Sequence, residues 1–236
     1  MRILVTRPES EIARFAAQLR AHGIEAVAAP LLRIEPAASL PPAPEGVQAL
    51  VFTSANGVRA YAALDARRVL PVFTVGDATA EAARAAGFAA VTSADGDWRA
   101  LSGLLAGALD PTRGPLLHPA GEDRAGDLAG AVAAAGFALA SIPVYRAVAA
   151  AALPEAARAA IAAGAVDGVA LFSPRSAGIF AALIAAAGLA EKRATLVAFC
   201  RCAPVAEARG DPAAWRAVAV AARPNAEALL ALIRAH

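Results

Sequence analysis

Cysteine, histidine, lysine and aromatic residues are all scarce in this chain, and each shortage removes a class of function. Two cysteines, Cys200 and Cys202, cannot frame a disulfide-stapled fold. A C-x-C pair with no second pair is a weak metal signal, so structural thiols are expected and no metal site. His22, His118 and His236 are scattered, with no spacing that suggests a ligand set or a catalytic pair. Lys192 is the one lysine, and 22 Lys+Arg against 20 Asp+Glu leave a net charge of +2. Without a basic cluster, and with two Trp and two Tyr for base stacking, no nucleic-acid partner is expected. The phosphate-cradling loops G-x-G-x-x-G and G-x-x-x-x-G-K-S/T are missing, as is the G-x-S-x-G nucleophile elbow.

Long apolar runs are missing too, despite an apolar share of 58%. Alanine supplies 72 of the 236 residues, and without it the larger apolar residues fall to about 28%, ordinary for a globular protein. The longest uncharged run, Leu128–Tyr145, has 18 residues but is Ala-rich and broken by Gly136 and Pro143, so no membrane partner is expected. The opening Met-Arg-Ile-Leu-Val-Thr has no basic-then-apolar leader, and a cytoplasmic protein is expected.

What is present is a rhythm of short apolar runs and Ala-rich helical stretches. Strands are expected at Arg2–Thr6, Ile24–Ala28, Leu50–Thr53, Val72–Val75, Ala89–Thr92, Pro115–His118, Phe137–Ile142, Gly168–Phe172, Thr195–Cys200 and Val218–Ala221. Helices are expected at Glu9–Ala21, Asn56–Leu64, Ala78–Ala86, Trp98–Leu109, Arg124–Ala135, Pro154–Ala163, Ser176–Ala187, Val205–Arg209 and Asn225–Ala235. This alternation predicts parallel sheets covered by helices on both faces. Gly23, Gly87 and Gly136 stand where helices stop.

Two stretches break the rhythm, the proline-dense 31–46 and the extended 143–154, and both read as domain boundaries. The expected fold class is α/β: two similar parallel-sheet domains joined by a two-stranded antiparallel linker, the first domain discontinuous. Residues 1–30 with 150–236 would form that first domain, 31–36 and 143–149 the interdomain strands, and 37–142 the second domain. A faint repeat, Val51-Phe52-Thr53-Ser54-Ala55-Asn56-Gly57 against Leu171-Phe172-Ser173-Pro174-Arg175-Ser176-Ala177, supports two similar halves.

The candidate site residues cluster at strand-to-helix junctions. These are Thr6-Arg7-Pro8, Thr53-Ser54-Ala55-Asn56-Gly57, Gly76-Asp77-Ala78-Thr79 and Ser173-Pro174-Arg175-Ser176. In a parallel sheet such junctions lie on the carboxyl edge, where ligands bind and where free helix N–H groups favour anions. Each alone reads first as an N-cap, which selects Ser, Thr, Asn and Asp anyway, and it is the four together that point to an anion-receptive cleft. Tyr145, one of two tyrosines, is either a packed linker aromatic or a proton donor at the site. Sequence spacing does not choose between the two.

These residues, taken in order, resemble the uroporphyrinogen-III synthase family along nearly the whole chain. The motifs are Ile3-Leu4-Val5-Thr6-Arg7-Pro8, Pro30-Leu31-Leu32-Arg33-Ile34, Phe52-Thr53-Ser54-Ala55-Asn56-Gly57-Val58 and Val75-Gly76-Asp77-Ala78-Thr79-Ala80. Gly121…Arg124…Leu128, Val144-Tyr145-Arg146, Phe172-Ser173-Pro174-Arg175-Ser176-Ala177 and Val220-Ala221…Pro224 complete the series. The chain departs from the family's usual hydroxyl-bearing turn at Cys200-Arg201-Cys202-Ala203-Pro204.

The resemblance implies a lyase without cofactor, acting on the linear tetrapyrrole hydroxymethylbilane and its eight carboxylates. Loss of the substrate hydroxyl gives an azafulvene, which joins the substituted carbon of the terminal pyrrole in a spiro intermediate. Fragmentation and re-closure then invert that ring, so catalysis rests mainly on orientation. Arg7, Ser54, Ala55, Asn56, Gly76, Ala78, Thr79, Ser173, Pro174, Arg175 and Ser176 are the expected substrate-binding residues, Tyr145 is the expected general acid, and a monomer is expected. The competing reading is a non-catalytic two-domain small-molecule binding or sensor protein, which would use the same carboxyl edges.

Overall fold

The computed structural model describes residues 1–123 and 126–236, so Arg124 of the motif above lies outside the described residues. The chain opens with β1 (Arg2–Val5), α1 (Glu9–Arg20), β2 (Glu25–Ala28) and β3 (Leu32–Pro36). Next come β4 (Ala49–Phe52), α2 (Ala55–Leu64), β5 (Val72–Thr74), α3 (Asp77–Ala85), β6 (Val91–Ser93) and α4 (Trp98–Ala108). They are followed by β7 (Leu116–Gly121), α5 (Leu128–Ala134) and β8 (Leu139–Ala149). The last third holds α6 (Glu155–Ala162), β9 (Gly168–Leu171), α7 (Pro174–Ala186), β10 (Val197–Cys200), α8 (Ala203–Ala208), β11 (Ala217–Val220) and α9 (Ala226–Arg234).

Two compact units result, Met1–Arg33 with Val148–His236, and Ile34–Ala147. The first contains a five-stranded sheet in the order β11-β10-β9-β1-β2, parallel at every pairing. Alternate side chains of each strand enter opposite cores. Leu4, Val169 and Leu171 pack with α6 and α7, whereas Ile3, Val5 and Phe172 pack with α1 and α9.

The second unit's sheet runs β3-β8-β7-β4-β5-β6 and is parallel from β8 to β6. Leu50 and Phe52 face α2 and α3, and Ala49 and Val51 face α4 and α5. Strand β3 pairs with β8 at the sheet edge. The N–H of Ala37 donates to Val144 O at 2.9 Å and that of Ala150 to Leu31 O at 3.0 Å, an antiparallel order. Across this pair Arg146 binds Glu35 at 2.8 Å.

Strand β8 differs from the sequence expectation. Pro143 was expected to separate a strand from a linker, yet β8 runs unbroken over 11 residues from Leu139 to Ala149. A proline gives no N–H to a ladder, and here the ladder slips. Ala120 faces Pro143, Gly121 faces Tyr145, and Val144 is the extra residue of a bulge. Helix α5 leaves out Gly126 and Asp127 of the expected helix, whose first two residues lie outside the described ones, because the Asp127 carboxylate caps it by accepting from Gly130 N at 2.9 Å. Helix α7 starts earlier, at Pro174, whose fixed φ suits a first helical position. Among the described residues no helix is long and apolar enough to cross a membrane.

Candidate active site

Each sheet has one place where its strand order reverses. In the first unit the chain goes from β1 out to β2, then returns to β9 and continues away through β10 and β11. In the second it goes from β4 through β5 to β6, then returns to β7 and β8. At such a switch point the neighbouring connections leave on opposite faces, and a crevice opens at the carboxyl ends of the strands.

The second unit's switch point, between β4 and β7, holds a cleft of about 410 Å³. Thr53, Ser54, His118, Gly121, Ser141 and Tyr145 are among its lining residues. Ser54 caps α2, its Oγ accepting from Asn56 N at 3.1 Å. Helix α2 can lie close on β7 because residue 57 is glycine, where a Cβ would come 2.7 Å from Pro119 O. The Tyr145 hydroxyl donates to the same Ser54 Oγ over a long 3.4 Å. Its ring rests on Gly121, where a Cβ would stand 2.9 Å from Cζ.

His118 is 4% exposed. Its Nε2 lies 3.1 Å from Thr53 Oγ1 and its Nδ1 3.2 Å from Ser141 Oγ. Both partners are hydroxyls, able to donate or accept, so the ring keeps both bonds in either tautomer. The cleft thus combines a loosely held phenol, a serine hydroxyl and a buried imidazole.

The first unit's switch point lies between β1 and β9. Thr6 Oγ1 donates to Ala170 O at 2.7 Å and ties the two strand ends together. The Arg7 guanidinium stacks over the Phe172 ring at 4.7 Å and forms an ion pair with Glu11. Ser173 and Ser176 make a capping box at the start of α7, with Ser176 N donating to Ser173 Oγ at 3.1 Å. Ser176 is 2% exposed. Pro174 and Arg175 are exposed in the first turn.

Of the sequence-predicted residues, Ser54 and Tyr145 meet in the second unit's cleft. Asn56 is turned to Arg59, which donates to its Oδ1 at 2.6 Å. Ala55 opens α2. Gly76, Ala78 and Thr79 start α3 beyond β5, one strand over, and do not line the cleft. Arg7, Ser173, Pro174, Arg175 and Ser176 belong to the first unit's edge.

Sequence reasoning missed His118, Ser141 and the ring seat at Gly121. His118 and Ser141 face each other only through the β7–β8 register, and no sequence signal carries that register. It also set Arg201 aside as part of a divergent turn. Among the described residues no group of three or more His, Cys, Asp and Glu is placed to hold a metal. Burial pushes the Cys200 thiol up to about 11.

No curated protein sequence matches the chain. Among solved structures, a uroporphyrinogen-III synthetase from Helicobacter pylori matches with a TM-score of 0.61 at 15% identity, over 100% of this chain and 99% of that one. A mutant uroporphyrinogen III synthase from Thermus thermophilus matches with a TM-score of 0.50 at 21% identity, over 100% and 98%. At such identities these matches speak for the fold. The family model for uroporphyrinogen-III synthase matches residues 13–231, almost the full length, and the chain therefore belongs to the uroporphyrinogen-III synthase family.

Proposed function

We propose that this synthase closes hydroxymethylbilane to uroporphyrinogen III with its carboxyl sheet edges holding the substrate and Tyr145 acting as the acid. The overall change is loss of one water with inversion of the terminal pyrrole, and it needs no net oxidation or reduction. The hydroxymethyl oxygen leaves with a proton, while the pyrrole nitrogen supplies the electron push. Uncatalysed closure gives the uninverted isomer, so the protein's main task is to impose a fold on a flexible chain.

The observation that carries the reading is the position of the Tyr145 hydroxyl. It lines the switch-point cleft, and its bond to Ser54 Oγ is long enough, at 3.4 Å, to be exchanged for a departing oxygen. A phenol is a neutral donor that adds no charge to a site receiving a polyanion. The positive dipole ends of α2, α3 and α7 supply anion-receptive backbone without requiring a strongly basic protein. The test is to give the purified protein freshly made hydroxymethylbilane, oxidise the products and separate the uroporphyrin isomers. Isomer III is expected in excess of the protein-free control. Isomer I alone, as in that control, would overturn the reading.

A further inference from the structure

Arg201 stands just beyond β10, where its backbone N–H donates to Leu171 O at 3.1 Å and carries the β9–β10 ladder one residue further. In register, Val5, Ala170 and Phe199 form one row across β1, β9 and β10. Two residues on, the same three strands place Arg7, Phe172 and Arg201 in the next row on the same face. The lower row lies in the core beneath α1 and α9, and Phe172 closes that core. Arg7, stacked on the Phe172 ring, and Arg201 therefore stand to either side of Phe172 in this row at the first unit's switch point.

Their partners are unequal. Arg7 is stacked on Phe172 and paired with Glu11 of α1. Arg201 is half-buried, and its Nε is enclosed without a hydrogen-bond partner. No ion pair of Arg201 is found among the described residues. The groups acting on its charge are the Cys202 thiol, Arg7 and Glu11. Burial lowers its proton affinity first, and the like charge of Arg7 adds to that. One carboxylate is thus set against two cations. A half-enclosed cation whose nearby carboxylate is already paired with Arg7 burdens the fold, and a ligand carboxylate would offset that burden.

The geometry points to a carboxylate-binding subsite formed by Arg201 and Arg7 over Phe172, which takes one acidic side arm of the tetrapyrrole. This rests on the synthase reading. A guanidinium offers parallel N–H donors that match the two oxygens of a carboxylate, and the Phe172 face suits the methylene groups of the arm. A lysine at position 201 would supply charge without that fork.

The test compares wild type with Arg201→Gln and Arg201→Lys. Without ligand, Arg201→Gln should melt at the wild-type temperature or above it, because a half-buried cation that only shares a carboxylate with Arg7 has been removed. With hydroxymethylbilane its KM should rise about 10- to 100-fold, the range for losing a hydrogen bond to a charged group. kcat should change far less, and isomer III should remain the product. Arg201→Lys should recover only part of the KM. Uroporphyrin III, the oxidised product with the same eight carboxylates, should raise the melting temperature of wild type more than that of Arg201→Gln. An unchanged KM together with equal melting shifts would overturn the subsite, and so would a lower melting temperature with kcat and KM spoiled together. If wild type itself yields only isomer I, the synthase reading falls, and the uroporphyrin melting shifts alone judge the subsite.

Discussion

Tyr145 owes its place to neighbours that carry no chemistry. The bulge at Val144 sets the tyrosine, rather than the valine, opposite Gly121, and the missing Cβ of Gly121 leaves room for its ring. Tyr145→Phe keeps the ring and removes the acid. We expect a rate loss of about 10²-fold or less, at the low end for general acids because the pyrrole nitrogen does most of the work. Isomer III should persist, and initial rates with isomer separation would check both points. Gly121→Ala tests the seat instead. Its Cβ would meet Cζ at 2.9 Å and Oη at 3.1 Å, atoms at the free end of a side chain, so the ring swings away and the backbone stays. Activity should fall at least as far as in Tyr145→Phe, while stability changes by about 1 kcal/mol or less. Because both substitutions act through one hydroxyl, the double variant should be no slower than the worse single one. The sequence could name Tyr145 and leave its role open. It named Gly121 as a motif residue but not as the seat of that ring, since the pairing of 121 with 145 depends on a bulge that no local motif announces.

Helix starts were more legible, because capping is local. Ser54 and Ser173 cap α2 and α7 as their spacing suggested. What spacing could not separate was a cap from a contact. Ser176 is enclosed within its capping box, so Ser176→Ala should cost about 1 kcal/mol of stability with KM unchanged. Calorimetry beside steady-state kinetics would show it. A second local device lies at the other end of α2. Tyr61 donates to Asp65 Oδ2 at 2.9 Å, and Arg67 grips the same carboxylate at 2.7 Å. The Arg67 hydrogen bonds hold Asp65 down at about 2 from an ordinary 3.8. Burial, with Asp65 adding to it, pushes Tyr61 up to about 12 from 10.0. A depressed carboxyl stabilises the fold above its unfolded value, and that contribution is lost as pH falls through the folded one. A raised phenol is the reverse, its contribution complete below the unfolded value and lost as pH climbs to the folded one. The melting-temperature gap between wild type and Asp65→Asn should therefore be widest near neutrality and close between about pH 4 and pH 2. A gap that stays constant down to pH 2 would remove Asp65 from the account.

At the scale of the whole chain, alternation of strand and helix announced parallel sheets covered by helices. Strand order was not legible, since periodicity marks which residues are buried and says nothing of which strand lies beside which. That order decides how the units depend on their chain segments. Strand β1 sits between β9 and β2, with Ile3, Leu4 and Val5 fully buried. Residues 148–236 alone would expose the β9 edge and open both of that unit's cores along the line β1 vacates. The sheet of the second unit, by contrast, draws β4 to β7 from one continuous stretch, and both its cores are internal to 34–147. We therefore predict that the excised fragment 34–147 melts cooperatively on its own. Deleting residues 1–33 should abolish the transition of the other unit while leaving this one. Circular dichroism and calorimetry on the two shortened chains would decide it. A second cooperative transition in the chain lacking 1–33, beyond that of 34–147, would show that β9, β10 and β11 form a stable sheet without β1, contrary to the central place that strand occupies.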